Sequence, residues 1–200
     1  MRSPSMVAVI LALALGACGT LPPPASLPAD AAWNLADPTQ TAILNTAYVF
    51  AAPARLARDP TGAALAIAQA EHVAVALRHD QRFIDFVPTP QLLFEIARPE
   101  WRAALGIADA APPQSVIDAL FSARRALQAN DLAAAAASLH APVFTEGGDA
   151  VLTRLANLPS LPRTAAAAAA AASELQRPRG GNRRSWRSAC RALPAGAGPC

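Results

Sequence analysis

Fifty-two of the chain's 200 residues are alanine, and no segment sustains an apolar–polar alternation of period two. Alanine has the best helix propensity of the twenty residues, whereas strands draw on β-branched and aromatic side chains. Aromatics make up only 5% of this chain, which argues against an all-β sandwich and makes helices the simplest ordered part. Nineteen prolines then limit how long those helices can run. A ring without an N–H is accepted in the first helical turn and resisted further in. The expected fold class is all-α: a compact bundle or array of about six or seven short, proline-punctuated helices with a disordered C-terminal tail. The broken pieces argue against a regular four-helix bundle.

Start and stop signals place these helices. In Asp37-Pro38-Thr39-Gln40 an acceptor side chain precedes a proline at the first helical position, with Gln40 at capping-box spacing. Ile43, Ala47, Phe50 and Ala54 follow at helical spacing, and Pro53 should end or kink that helix. Asp59-Pro60-Thr61 repeats the signal and opens a helix to about His79. Thr89 and Pro90 are expected to start the next one, through Phe94 and Ile96. Pro99 should interrupt it, leaving Trp101–Leu105 as a short piece stopped by Gly106. Pro112-Pro113 opens a helix with Val116, Leu120, Ala123 and Leu127 on one stripe. Asn130-Asp131 is a turn, Leu132–His140 a return helix, and 150–158 and 163–176 the last two helices. Residues 126–132, with Ala135 and Leu139, are similar to the inter-helix turn of tetratricopeptide-like hairpins. The eight alanines of 165–172 either let two helices approach closely or are low-complexity sequence.

The N-terminus carries the most specific pattern. Arg2 and the α-amino group precede nine apolar residues, Val7 to Leu15, and then Gly16, Ala17 and Cys18. Nine residues suit the apolar core of a signal peptide and fall well short of the ~20 that a spanning helix needs. Leu15-Gly16-Ala17-Cys18 resembles the lipobox of bacterial lipoproteins. The resemblance implies lipidation at Cys18, cleavage before it and acylation of the new amine. Several acyl chains give a stable anchor, at about 0.8 kcal/mol per buried CH₂. Gly19 rather than Asp after the Cys implies, by the same resemblance, the outer membrane facing the periplasm. The segments are therefore read as a signal peptide (1–17), a lipidated Cys and Pro-rich tether (18–32), a helical domain (33–176) and a basic disordered tail (177–200). Fourteen residues of polyproline-like tether would reach up to about 40 Å.

The net charge of +3 dissolves on inspection. Between Gly19 and Gln176 ten Arg face fourteen Asp and Glu, a net −4. The tail has six Arg and no acid, and the chain has no lysine. The body therefore shows no basic, aromatic-bearing face for nucleic acid. Cys190 and Cys200, ten residues apart in the tail, could pair in an oxidising compartment, within the chain or between chains.

Candidate chemistry is sparse. His72 and His79 are seven apart on one helix, next to Glu71 and Asp80. That spacing shares a face but separates them by about 10.5 Å along the axis, unlike the i, i+4 pair of a metal helix. His72 also lies on an apolar stripe, as a hydrogen-bonded core histidine would. Glu95, Arg98, Glu100 and Arg102 around Pro99 read as exposed ion pairs, and Phe94 and Trp101 as core. No nucleophile elbow, phosphate loop or CxxC is present. The functional expectation is a non-enzymatic scaffold or binding module of the cell envelope, held to the membrane through Cys18. An unknown envelope protein is its expected partner. No catalytic or metal residue, no cofactor and no nucleic acid are expected. The alternative is a cell-envelope hydrolase or metal-binding enzyme using Glu71, His72 and His79.

Overall fold

A computed structural model describes residues 24–31 and 37–177 of the chain. The expected signal peptide and lipidated Cys18, the expected domain start near Trp33, and the tail after Arg177 with Cys190 and Cys200 lie outside the described residues. Seven α-helices make up the described part: α1 (Pro38–Phe50), α2 (Pro60–His79), α3 (Pro88–Leu105), α4 (Pro113–Gln128), α5 (Leu132–Ser138), α6 (Gly148–Ala156) and α7 (Pro162–Gln176). Short 3₁₀ turns sit at Ala29–Ala31, Pro53–Leu56 and Gln81–Phe83. Among the described residues extended pairing is limited to one isolated antiparallel bridge, Ile107 with Phe144.

The cap signals act as the sequence implies. The Asp37 carboxylate accepts from the Thr39 and Gln40 amides, Asp59 from the Gly62 amide, and Asp131 from the Ala134 amide. Each satisfies donors that a helix start leaves open. Gly106 ends α3 at φ 68°, a left-handed conformation that costs glycine little.

Two expectations about α3 fail. The helix begins at Pro88 rather than after Thr89, and its cap residue, Val87, offers no side chain. The open amide of Val87 is instead met by the Glu174 carboxylate of α7, 3.1 Å away. Pro99 also sits inside one continuous helix. Its ring removes a single intrahelical hydrogen bond. Phe94 and Ala97 before it, and Trp101, Arg102 and Leu105 after it, are all buried, so packing on both sides outweighs the local penalty.

α2 is the axis of the molecule. From Ala63 to Leu77 nearly every side chain is buried, and α1, α3, α4 and α6 pack around it. Such all-round burial marks a central helix. Its alanines at 63, 64, 66, 68 and 70 let neighbours approach closely. α7 bridges α1 and α3, so α1, α2, α3 and α7 form a ring in which neighbours run antiparallel. The eight-alanine run lies in α7 and buries Ala167, Ala168 and Ala171, which makes it a close-packing face. Outside the ring, α4 covers the other side of α2 and α5 links α4 to α6. Trp101, Phe94, Phe121 and Phe144 are the bulkiest fully buried side chains.

Part of the proline-rich stretch lies on this body. The Ser26 amide donates to Gln114 Oε1 at 2.8 Å, and Arg125 donates twice to the Asp30 carboxylate at 2.8 and 2.9 Å. Residues 24–31 therefore form a strap along α4, within the stretch that the sequence reading calls a Pro-rich tether.

α5 and α6 meet at Gly148, where a Cβ would come 1.9 Å from the Ala136 carbonyl oxygen. Gly147, one residue earlier, has open space. Gly148→Ala should cost about 2 kcal/mol or more, read as a fall in the thermal midpoint. Gly147→Ala should leave that midpoint essentially unchanged.

Candidate functional site

The last turns of α2 carry the candidate residues, and adjacent positions on a helix point about 100° apart. Glu71 turns toward α3, and His72 turns toward α1 and the strap. The structure therefore separates the two members of the triad Glu71, His72 and His79 that are neighbours in sequence.

Glu71 is fully buried and fully engaged. Its Oε1 accepts from Trp101 Nε1 at 3.0 Å and from Arg102 Nε at 2.6 Å. Its Oε2 accepts from Arg98 at 2.8 Å and from Arg102 at 3.2 Å. Arg102 is itself buried, with 6% of its side chain exposed. Its remaining donors reach the carbonyls of Ala108, Asp109 and Ala111 at 3.0–3.1 Å. All five guanidinium N–H groups are thus satisfied. This corrects the expectation of an exposed ion pair at Arg102. Glu100 is also diverted, capping α7 through the amides of Arg163 and Thr164 and the Thr164 hydroxyl. Phe94 and Trp101 do fill the core, edge to face at 6.2 Å.

His72 and His79 line one cleft of about 390 Å³. Its other walls are Pro24–Leu27 of the strap, Pro38 and Thr39 at the start of α1, and Asp80 and Arg82 beyond α2. His72 Nε2 lies 3.0 Å from the Thr39 hydroxyl. His72 Nδ1 and His79 Nε2 are buried without a hydrogen-bond partner among the described residues. Burial holds the His72 ring below the usual histidine pKa, and the Ala25 backbone and Asp80 oppose that shift. Arg82 pairs with both Asp37 and Asp80 at the rim. Its hydrogen bonds, foremost among the causes, hold Asp80 below the usual carboxylate range.

Among the described residues no group of three His, Cys, Asp or Glu is placed to hold a metal ion. The cleft can seat a small molecule with apolar flanks and a donor or acceptor for imidazole. Sequence reasoning did not find its strap wall or the Thr39 contact. Thr39 and His72 are 33 residues apart, and nothing in local spacing links them. His140 lies beyond the end of α5, exposed, with its ring against the Ala141 carbonyl.

Comparison with protein families, with curated proteins and with solved structures returned no match.

Glu71→Gln should destabilise the fold by about 3–5 kcal/mol in chemical denaturation, because it leaves Arg102 buried without its counter-charge. Replacing both partners, Glu71→Met with Arg102→Met, should cost less. His72 gives a pH signature. Its folded-state pKa lies below the ordinary 6.5, so its contribution is present above that value. Below it the unfolded chain takes up a proton that the folded ring resists, and stability falls with pH. The thermal midpoint should drop on acidification from about pH 7 to about pH 5, and His72→Gln should flatten that slope.

Proposed function

We propose that the protein is a lipid-anchored helical module of the bacterial cell envelope, non-enzymatic, held at the periplasmic face of the outer membrane through Cys18. The observation that carries this reading is the order Arg2, apolar Val7–Leu15, Gly16, Ala17, Cys18. The geometry of the body supports a presenting rather than a catalytic role. The carboxylate nearest the histidines in sequence, Glu71, is consumed by Arg98, Trp101 and Arg102. The strap supports it as well, since Asp30 and Ser26 join the N-terminal segment to α4. The module's working surface is its helical exterior and the cleft over His72, which offers an envelope protein or a small molecule a place to bind. Among the described residues no helix is long and apolar enough to cross a membrane.

Cys18→Ser should abolish metabolic labelling with palmitate and release the protein from the membrane fraction. Labelling that persists in this variant would overturn the anchor.

A further inference from the structure

The floor of the cleft over His72 is a single stripe of α2. His72, Val75, Ala76 and His79 fall at i, i+3, i+4 and i+7, which puts them on one face over about 10.5 Å of helix axis. Val75 and Ala76 in the floor, with Pro24, Ala25 and Leu27 of the strap and Pro38 of α1, give the cleft an apolar body. Its volume of about 390 Å³ is far more than a single water needs, about 30 Å³ in the liquid.

His72 is the buried polar group of this lining, with 6% of the residue exposed. Hydrogen-bond geometry assigns its proton. Arg82 Nη2 lies 3.5 Å from Thr39 Oγ1 and can only donate to it. The Thr39 hydroxyl proton is thereby left for His72 Nε2, 3.0 Å away. Nε2 is then the acceptor, and the neutral ring carries its proton on Nδ1. That N–H is buried and has no acceptor among the described residues. The Ala25 backbone comes near enough to oppose the fall in the His72 pKa, yet it closes no hydrogen bond with the ring. A buried donor without an acceptor costs free energy, and a ligand oxygen recovers it.

Charge selects against ions of either sign. Burial holds the imidazole neutral, and Arg82 is already paired with Asp37 and Asp80, so an anion meets no free cation in this lining. A cation meets the same two carboxylates already held by Arg82. An ion of either kind would also leave water for apolar walls.

We propose that this cleft is a binding site for an uncharged small molecule with an apolar body and one carbonyl or hydroxyl oxygen, which accepts from His72 Nδ1–H. The proposal rests on the reading of the protein as a presenting, non-enzymatic module and names the class of molecule its cleft holds.

Octanol, octanoate and octylamine share one chain and differ in the charge of the head. Calorimetric titration of the full chain with each, near neutral pH, therefore reads the selection directly. Octanol should bind at least about tenfold more tightly than either ion. With isotope-labelled imidazoles, octanol should move the His72 Nδ1–H resonance and leave exposed His140 unmoved. His72→Phe keeps a flat ring without the donor and should lose about threefold to tenfold in octanol affinity. That variant also drops the Thr39 contact, so the resonance of the unsubstituted chain carries the test if it folds poorly. Cys18→Ser, which tests the anchor, should leave octanol affinity unchanged, so a failed anchor and a failed cleft give separate results. Octanoate or octylamine binding as tightly as octanol overturns the proposal. Octanol bound with the His72 resonance unmoved overturns it, as does octanol binding that disappears in Cys18→Ser. No binding of octanol leaves the cleft to water alone and overturns it as well.

Discussion

The ion pair between Glu71 and Arg102 is the constraint around which the rest of the body is arranged. Glu71 sits on the central helix, and Arg102 sits three residues beyond the proline in α3. Placing two charges where water is excluded is costly. It is tolerated because each oxygen of Glu71 accepts two hydrogen bonds and each N–H of Arg102 has a partner. Three of those partners are carbonyls of the segment that joins α3 to α4. One side chain thus ties α3 to α2 just beyond Pro99 and folds the connection that delivers α4.

Small side chains supply the complementary constraint. α2 is wrapped on all sides because its alanines demand little room, and α7 enters between α1 and α3 on an alanine face. A core of this kind gains little area per residue and depends on close fit. Its tolerance for an added methyl is accordingly small, most visibly at Gly148 against the Ala136 carbonyl. The few large side chains, among them Phe94, Trp101 and Phe121, fill the spaces that alanines leave.

Legibility in the sequence follows interaction range. The caps at Asp37, Asp59 and Asp131 act within three residues, and their helices begin where the spacing says. The all-helical class was readable for the same reason. Pro99 misled because its local penalty is real but small beside the burial of Phe94 and Trp101. Arg102 misled because its partners lie 31 residues back in α2 and six to nine residues ahead. The candidate site was legible only as a pair of histidines on one face. Its walls come from Ala25, Thr39 and Arg82, which tertiary contacts alone bring together. The seating of residues 24–31 on α4 was not legible, because proline-rich sequence is extended in any setting and the contacts that seat it span 88 and 95 residues.

That strap also defines a load path. A pull arriving from the N-terminal side meets Ser26 on Gln114 and Asp30 on Arg125 before it reaches Asp37. The contacts are strung along α4, so tension along the strap is shared between them in shear rather than peeling them one by one. The first turn of α1, with its Asp37 cap and its Thr39 contact to His72, stands behind that joint. Tension from the N-terminal side is thereby met by an exposed ion pair that re-forms readily before it reaches α1 and the central helix.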